Sequence, residues 1–256
     1  MKYSKTQEFF AEFIGTFILI ALGCGSVAMV TLFPSSNYSL PGEIIKGGYT
    51  NVVFGWGLGV AFGIIVSVRI SGAHLNPAIS IALALTGDMP YNKLAHYIVA
   101  QVLGAMIGAL AVVVVFYAKL IQIDPGLSNT QGIFSTFPAV PGYWPGFVDQ
   151  IFGTFILMFL VIAVGAYFKD AANNAAFPFI IGAIVLAIGI SFGGMNGYAI
   201  NPARDLGPRI ILWLVGFKNN GFNEFRVWSV PIIGPIIGAF LGAILYKILL
   251  SKANKR

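Results

Sequence analysis

Two Asn-Pro-Ala triplets are the residues of this sequence whose types and spacing point most directly to chemistry. Asn76 begins the first, within "SGAHLNPAIS", and Asn201 begins the second, within "GYAINPARDLGPR". Because Asn is a favoured N-cap and Pro is favoured at the first helical position, each triplet predicts the start of a helix. Arg204 and Asp205 follow the second triplet, between two apolar runs. A charge in such surroundings is costly, so Arg204 is a candidate functional residue.

The acidic, histidine and cysteine residues do not form the pattern of an enzyme. Asp149 and Asp205 are far apart in the sequence, and no His, Asp or Glu spacing indicates a metal site. The single cysteine, Cys24, lies inside an apolar run, and His96 lies in another with no motif around it. The sequence therefore predicts a protein that is not an enzyme and that uses no metal or cofactor.

The elements that must position these residues are membrane helices. The chain of 256 residues is 57% hydrophobic and only 9% charged, which is unlike a soluble domain. Six stretches are long enough to cross a hydrocarbon core of about 30 Å; they are 9–30, 49–68, 94–117, 150–168, 175–194 and 227–246. Glu12 is the only charged residue in any of them. We expect an all-α membrane protein.

Each triplet opens a shorter apolar segment outside the six spans, over 76–86 and 201–216. At about 1.5 Å of rise per residue, such segments cover only about half of a bilayer, so both are predicted to be half-helices. The backbone that leads into each start is not helical, and bare backbone in hydrocarbon costs several kcal/mol per unpaired group. These breaks therefore have to line a water-filled cavity or lie buried in protein.

An internal repeat relates the two triplets. "EFIGTFILI" from Glu12 recurs as "QIFGTFILM" from Gln150, and "GAMIGAL" from Gly104 recurs as "GAFLGAI" from Gly238, with one triplet between each pair. The order predicts one channel domain of two homologous halves, 1–119 and 145–256, joined by an outer linker loop over 120–144. Because each half has three spans, the second half is inverted in the membrane, and the two half-helix starts meet near the midplane.

The distribution of lysine and arginine predicts the orientation. With six spans both termini lie on one side; nine Lys and Arg residues fall on that side and four fall opposite. The positive-inside rule then places both termini in the cytoplasm. Much of the net charge of +6 follows from orientation, so no nucleic-acid partner is implied.

The paired "SGAHLNPA" and "GYAINPARD", together with "AEFIGT" and six spans, resemble the major intrinsic protein family of aquaporins and glycerol facilitators. The resemblance implies an aquaporin-like fold, a homotetramer, and a pore built around Asn76, Pro77, Ala78, Asn201, Pro202 and Ala203, with both Asn side-chain amides directed into it. It also implies an acceptor track of backbone carbonyls from Gly72, Ala73, His74, Gly194, Met195 and Asn196, with the His74 side chain holding its loop.

The resemblance further assigns a selectivity filter. Arg204 would stand at the outer constriction with Trp56, Gly189 and Tyr198, and two aromatics with a glycine are typical of glycerol facilitators. Water-selective members carry a bulkier set that includes histidine. Tyr198 departs from the Phe usual in bacterial glycerol facilitators, which leaves the preferred solute open.

Three further residues are predicted to hold the pore loops, namely Glu12, Gln150 and Asp205. Gln150 stands where many members repeat the buried glutamate. A purely structural pairing of Arg204 with Asp205 is the alternative to a filter role. The small-residue pairs Gly104/Gly108 and Gly238/Gly242 fit close helix packing within one subunit or between subunits.

The sequence thus predicts a passive channel for glycerol and similar small neutral solutes, with water as co-permeant and with ions and protons excluded. A water-selective aquaporin is the main alternative. A coupled secondary transporter would need ionisable groups within its spans, where only Glu12 is available. The expected location is the cell membrane, with the short tails resembling members of a bacterial inner membrane.

Overall fold

The computed structural model describes residues 3–33, 47–168 and 170–250, and within these ranges the regular elements are helices. Eight α-helices follow one another along the chain: α1 (Lys5–Leu32), α2 (Tyr49–Ser71), α3 (Pro77–Leu85), α4 (Leu94–Ile123), α5 (Trp144–Tyr167), α6 (Ala176–Phe192), α7 (Pro202–Val215) and α8 (Phe225–Leu249). Several of the charges that predict the orientation, Lys2, Lys46, Lys169, Lys252, Lys255 and Arg256, lie outside the described residues.

Six helices correspond to the six predicted spans. Five of them, α1, α2, α4, α5 and α8, are long and apolar enough to cross a membrane, and α6 is a shorter apolar helix of 17 residues, about 26 Å long. Most helices extend past the apolar stretch that predicts them, because a helix ends at its cap and not where hydrophobicity ends. In α1, for example, Ser4 and Gln7 form a capping box ahead of the apolar run.

The two half-helices begin at the Asn-Pro-Ala triplets. The Oδ1 atom of Asn76 accepts from the N–H of Ala78 at 2.9 Å, and that of Asn201 accepts from Ala203 at 3.0 Å and Arg204 at 3.2 Å. Helix α3 has 9 residues and α7 has 14, so neither crosses a bilayer. The predicted N-caps are confirmed, and the predicted lengths agree to within a residue or two.

Glycines let the long helices cross closely, and the contact is repeated in the two halves. A side chain at Gly108 of α4 would meet the Phe17 carbonyl of α1 at 2.8 Å, and one at Gly242 of α8 would meet the Phe155 carbonyl of α5 at 2.5 Å. Gly104 and Gly238 approach the same partner helices one turn earlier. The small-residue pairs therefore pack helices within one chain.

The loop after α4 carries residues to the site and is anchored by Asp124. Burial raises the pKa of this carboxyl, but the N–H groups of Ser128, Asn129 and Thr130 and the Thr130 hydroxyl bond to it and lower the pKa to about 2. An ionised Asp124 thus closes the turn. Farther along this loop, Ser135 and Thr136 contact α7, because both donate hydrogen bonds to Asp205.

Candidate functional site

The two loops that precede the Asn-Pro-Ala triplets share one unusual backbone conformation. Ala73 and Leu75 have φ values of 55° and 51°, and Tyr198 and Ile200, at the same offsets from the second triplet, have 36° and 43°. Positive φ is uncommon for non-glycine residues and is an outlier for a β-branched one such as Ile200. Strain of this kind persists where surrounding contacts hold it, and it clusters at functional sites. The repeat therefore preserves a strained loop in both halves.

Hydrogen bonds between the halves hold the strained loops together. The Asn76 side-chain amide donates to the Ile200 carbonyl at 2.8 Å, and the Asn201 amide donates to the Leu75 carbonyl, also at 2.8 Å. The two half-helix starts thus meet, as the inverted repeat predicts. Because an amide NH₂ has two donors and each Asn gives one to the opposite loop, each has one donor left for a solute.

A buried carboxylate organises the loop of the first half. Glu12 of α1 accepts from the N–H groups of His74 at 2.9 Å and Leu75 at 2.7 Å, and also from Ser71 and Gln101 side chains. The His74 ring is 3.0 Å from the Ser80 hydroxyl, which fixes it against α3. This geometry agrees with the predicted loop-holding role of Glu12.

Gln150 of α5 occupies the equivalent place in the second half and makes two hydrogen bonds to its loop. Its Oε1 atom accepts from the Ile200 N–H at 2.8 Å, and its Nε2 atom donates to the Asn196 carbonyl at 3.3 Å. The amide therefore holds the loop from both sides, but it brings no negative charge. Glu12 has no charged counterpart at this position.

Asp205 is held by Arg209 and by the loop after α4. Its carboxylate accepts from the Arg209 guanidinium at 2.7 Å and from the backbone N–H and hydroxyl of Thr136, both at 2.7 Å. Arg209 also donates to the carbonyls of Thr136 and Asn220. Asp205 thus pairs with Arg209, so the alternative in which it serves as the ion-pair partner of Arg204 is wrong.

A cavity of about 170 Å³ runs between the two loops, which is room for several water-sized molecules. One wall is apolar and comes from the long helices, and it includes Leu19, Val60, Ile64, Leu157, Val161, Ile181 and Val185. The polar wall comes from the loops and half-helix starts, and it includes residues 72–76, 198–201 and Arg204. The cavity therefore offers a permeant one apolar and one hydrogen-bonding side.

Three of the predicted filter residues meet at this cavity. The Arg204 guanidinium carbon lies 4.1 Å from the centroid of the Trp56 ring, and Nη1 of Arg204 donates to the Phe134 carbonyl at 2.9 Å. Tyr198 lines the same cavity. Gly189 lies against the Tyr198 ring and is not itself a lining residue, since a side chain at position 189 would meet that ring at 2.9 Å. The four residues are thus brought together, and Gly189 contributes space rather than a lining surface.

The predicted carbonyl track is placed differently in the two halves. Gly72, Ala73 and His74 line the cavity, but Gly194, Met195 and Asn196 do not; Tyr198, Ala199 and Ile200 do. The Met195 carbonyl accepts from the Ala139 N–H at 2.9 Å, and the Asn196 carbonyl accepts from Gln150. The carbonyls of Met195 and Asn196 thus accept bonds that hold the loop, and the acceptor track of the second half stays a prediction.

Several supporting residues lie outside the motifs of the sequence. Phe134 and Thr136 act through a loop that reads only as a linker, and Gln101 acts from within an apolar helix. A buried glutamine or arginine in such surroundings is a detectable signal, because it has to find partners. The identity of those partners depends on contacts far apart in sequence.

Comparisons with known proteins agree with this geometry. The profile of the family described as Major intrinsic protein matches residues 1–246. A glycerol uptake facilitator protein of Bacillus subtilis is 41% identical over 228 residues, which cover 89% of this chain and 79% of that protein. Glycerol uptake facilitator protein 3 of Lactiplantibacillus plantarum is 39% identical, over 92% of this chain and 93% of that one.

The fold is also found among solved structures. The X-ray structure of the aquaglyceroporin from Plasmodium falciparum matches with a TM-score of 0.84 and 29% identity, over 98% of this chain and 99% of that one. The long apolar helices, the aquaporin-like fold and the paired Asn-Pro-Ala loops thus occur together in one multi-pass membrane protein. On the family profile and these relatives, the chain belongs to the major intrinsic protein family.

Proposed function

We propose that this protein is a passive channel for glycerol and similar small neutral solutes, with water as co-permeant. The observation that carries the proposal is the cavity, whose apolar helix wall faces a polar wall of loop backbone, Asn amides and Arg204. A polyol has a carbon edge and a hydroxyl edge, so it fits such a cavity in one orientation. Relatives named glycerol uptake facilitator support this solute class.

The aromatic and cationic groups at one end of the cavity support a filter. Trp56 and Tyr198 offer apolar ring surface, and Arg204 offers donors that suit hydroxyl oxygens. The water-selective alternative needs a bulkier, more polar filter, whereas Gly189 leaves room for the Tyr198 ring. This arrangement favours glycerol over a channel that passes water alone.

Ion and proton exclusion follows from the charges along the path. Helices α3 and α7 direct their positive N-terminal ends to the place where the loops meet, and Arg204 adds a full positive charge at the filter. A cation or a hopping proton meets an unfavourable potential there, while a neutral solute does not. The backbone of residues 72–74 and of Tyr198 and Ala199, which line the cavity, is proposed as the acceptor track on either side.

The flux of glycerol through purified protein in liposomes tests the proposal. In stopped-flow light scattering, vesicles with protein should shrink and re-swell in glycerol faster than empty vesicles, and should only shrink in sucrose. If the vesicles with protein shrink fast in both glycerol and sucrose but re-swell in glycerol no faster than empty vesicles, the protein is a water channel and does not pass glycerol. Saturating uptake that depends on a proton gradient would favour a coupled transporter.

Two identical substitutions at helical glycines provide matched variants. Gly189→Ala puts a methyl group 2.9 Å from both the Tyr198 ring and Val53. The methyl group should push the Tyr198 ring into the cavity, narrow the path at the filter and lower glycerol flux several-fold. Gly165→Ala meets nothing within 4 Å and should keep the wild-type flux. Equal flux in the two variants would contradict the placement of the filter.

The proposal extends to location and assembly. The expected location is the cell membrane, with both termini in the cytoplasm and a lipid bilayer around the exposed apolar faces of the helices. A homotetramer with one pore per subunit is proposed from the family resemblance alone. Cross-linking in native membranes would test it, because a monomer would give no ladder above one subunit.

A further inference from the structure

Asp149 directly precedes Gln150 near the start of α5, and its carboxylate joins the hydrogen bonds that hold the loop of the second half. Its Oδ2 atom accepts from the Nε2 atom of Gln150 at 3.0 Å. The same Nε2 atom donates to the Asn196 carbonyl at 3.3 Å, so both of its hydrogens have acceptors. The carboxylate also interacts with the backbone N–H of Asn196. Asp149 thus brings a negative charge to this loop, one residue before the position that is equivalent to Glu12.

The carboxylate fixes which end of the Gln150 amide faces the loop. Because an ionised carboxylate only accepts hydrogen bonds, it holds the NH₂ end of the amide, and the Oε1 atom is left to accept from the Ile200 N–H at 2.8 Å. A hydrogen bond to a charged acceptor is roughly twice as strong as one between neutral groups. Ile200 has a φ of 43°, and its carbonyl accepts from the Asn76 amide. Asp149 therefore acts, through Gln150, on the strained residue that joins the two halves.

The side chain of Asn196 is a buried donor that Gln150 does not use. Asn196 precedes its triplet by five residues, as Ser71 does in the first half, and the Ser71 hydroxyl donates to Glu12 at 2.6 Å. Asn196 is 2% exposed, and among the residues that the structure describes its Nδ2 atom has no hydrogen-bond partner. A buried donor without a partner is costly. The second half thus keeps a side-chain donor where the first half uses one for its glutamate.

We propose that Asp149 is a positioning residue of the channel, whose carboxylate supplies the charge that position 150 lacks and holds the loop through the Gln150 amide. The inference rests on the proposed function, because the loop lines the cavity that passes the solute. Asp149 is not one of the residues that line this cavity. It lies in a separate, apolar groove that is lined by Trp144, Pro145, Val148, Phe152 and Met195. A change at Asp149 therefore reaches the permeant only through the geometry of the loop.

The test moves the carboxylate from position 149 to position 150. Asp149→Leu places an apolar side chain in an apolar groove, so the protein should fold, while its water and glycerol permeabilities in liposomes should fall several-fold. The double variant Asp149→Leu/Gln150→Glu provides a carboxylate that can accept from the Ile200 N–H and the Asn196 side chain, and it should recover most of the lost flux. A side chain that mattered only for packing would not be replaced by a charge at the neighbouring position.

Glu224→Leu is the matched control. It removes a carboxylate that pairs with Arg226 just before α8 and that has no hydrogen bond to either loop within the described parts of the chain, so both permeabilities should stay at the wild-type values. Wild-type flux in Asp149→Leu would overturn this inference, and so would a loss of flux that the double variant does not recover.

Two further outcomes keep this inference separate from folding and from the proposed function. If size-exclusion chromatography shows that Asp149→Leu is not folded, Asp149→Asn, which keeps the shape of the side chain, is compared with Asp149→Asn/Gln150→Glu by the same criteria. Absence of glycerol flux through the wild type would overturn the proposed function, and the water permeabilities of the same variants would still test the role of Asp149.

Discussion

Arg209 and Asp205 form an ion pair in which both side chains are 1% exposed. The pair stabilises the site because Asp205 also binds Thr136 and Arg209 also binds two backbone carbonyls. Every charge in this cluster is therefore hydrogen-bonded, which is the condition under which a buried ion pair is tolerated. Arg204, one residue before Asp205, is left with donors for a solute.

Asp205→Ala should destabilise the protein strongly, because it leaves the Arg209 guanidinium buried without its carboxylate. The expected loss is about 3–5 kcal/mol in the free energy of unfolding. Thermal unfolding of the detergent-purified protein, followed by size-exclusion chromatography, measures it. Glu224→Ala breaks the pair with Arg226, whose side chains are 56% and 52% exposed, and should cost less than about 1 kcal/mol. Similar losses in both variants would contradict this account.

At the scale of the elements, the helices that surround the cavity are fixed by glycine contacts. Helix α4 crosses α1 where Gly108 faces the Phe17 carbonyl, and α8 crosses α5 in the same way. Close crossing brings backbones together and allows tight van der Waals packing, which is a main source of association between helices in lipid. The repeated sequence motif thus encodes a repeated helix contact.

Gly108→Ala should separate α1 and α4, since the new methyl group would lie 2.8 Å from the Phe17 carbonyl and 3.0 Å from the Ile20 side chain. Overpacking of this kind costs about 1–3 kcal/mol. The melting temperature in detergent reports the loss. Gly165→Ala, on the open face of α5, is expected to change stability by less than about 1 kcal/mol. A Gly108→Ala protein as stable as Gly165→Ala would show that the crossing tolerates separation.

For the whole molecule, the remaining prediction concerns orientation in the membrane. Nine Lys and Arg residues lie on the side of the termini and four lie opposite, so the termini should be cytoplasmic. Green fluorescent protein fused after Arg256 should fluoresce in bacterial cells, and alkaline phosphatase at the same place should be inactive. A phosphatase fused in the loop between α4 and α5 should be active. The opposite pattern would reverse the assignment.

The sequence by itself determined the helices, the repeat and the two half-helix starts. Apolar length predicts the spans, and the Asn-Pro-Ala triplets predict caps, because both depend on residues that are neighbours in the chain. The motif offsets also identify Trp56, Gly189, Tyr198 and Arg204, which the structure brings together.

Only the tertiary structure decided which groups bond to one another. The Asn amides cross-link opposite loops, Asp205 and Arg209 both bond to Thr136 of the loop after α4, and the second stretch of backbone that lines the cavity is 198–200. The hydrogen-bond partners come from other helices or loops, far away in the sequence. The lining stretch is one of several neighbouring stretches of similar composition, and the fold decides which of them faces the cavity. Local pattern shows that a buried polar group needs a partner, but packing in three dimensions selects that partner.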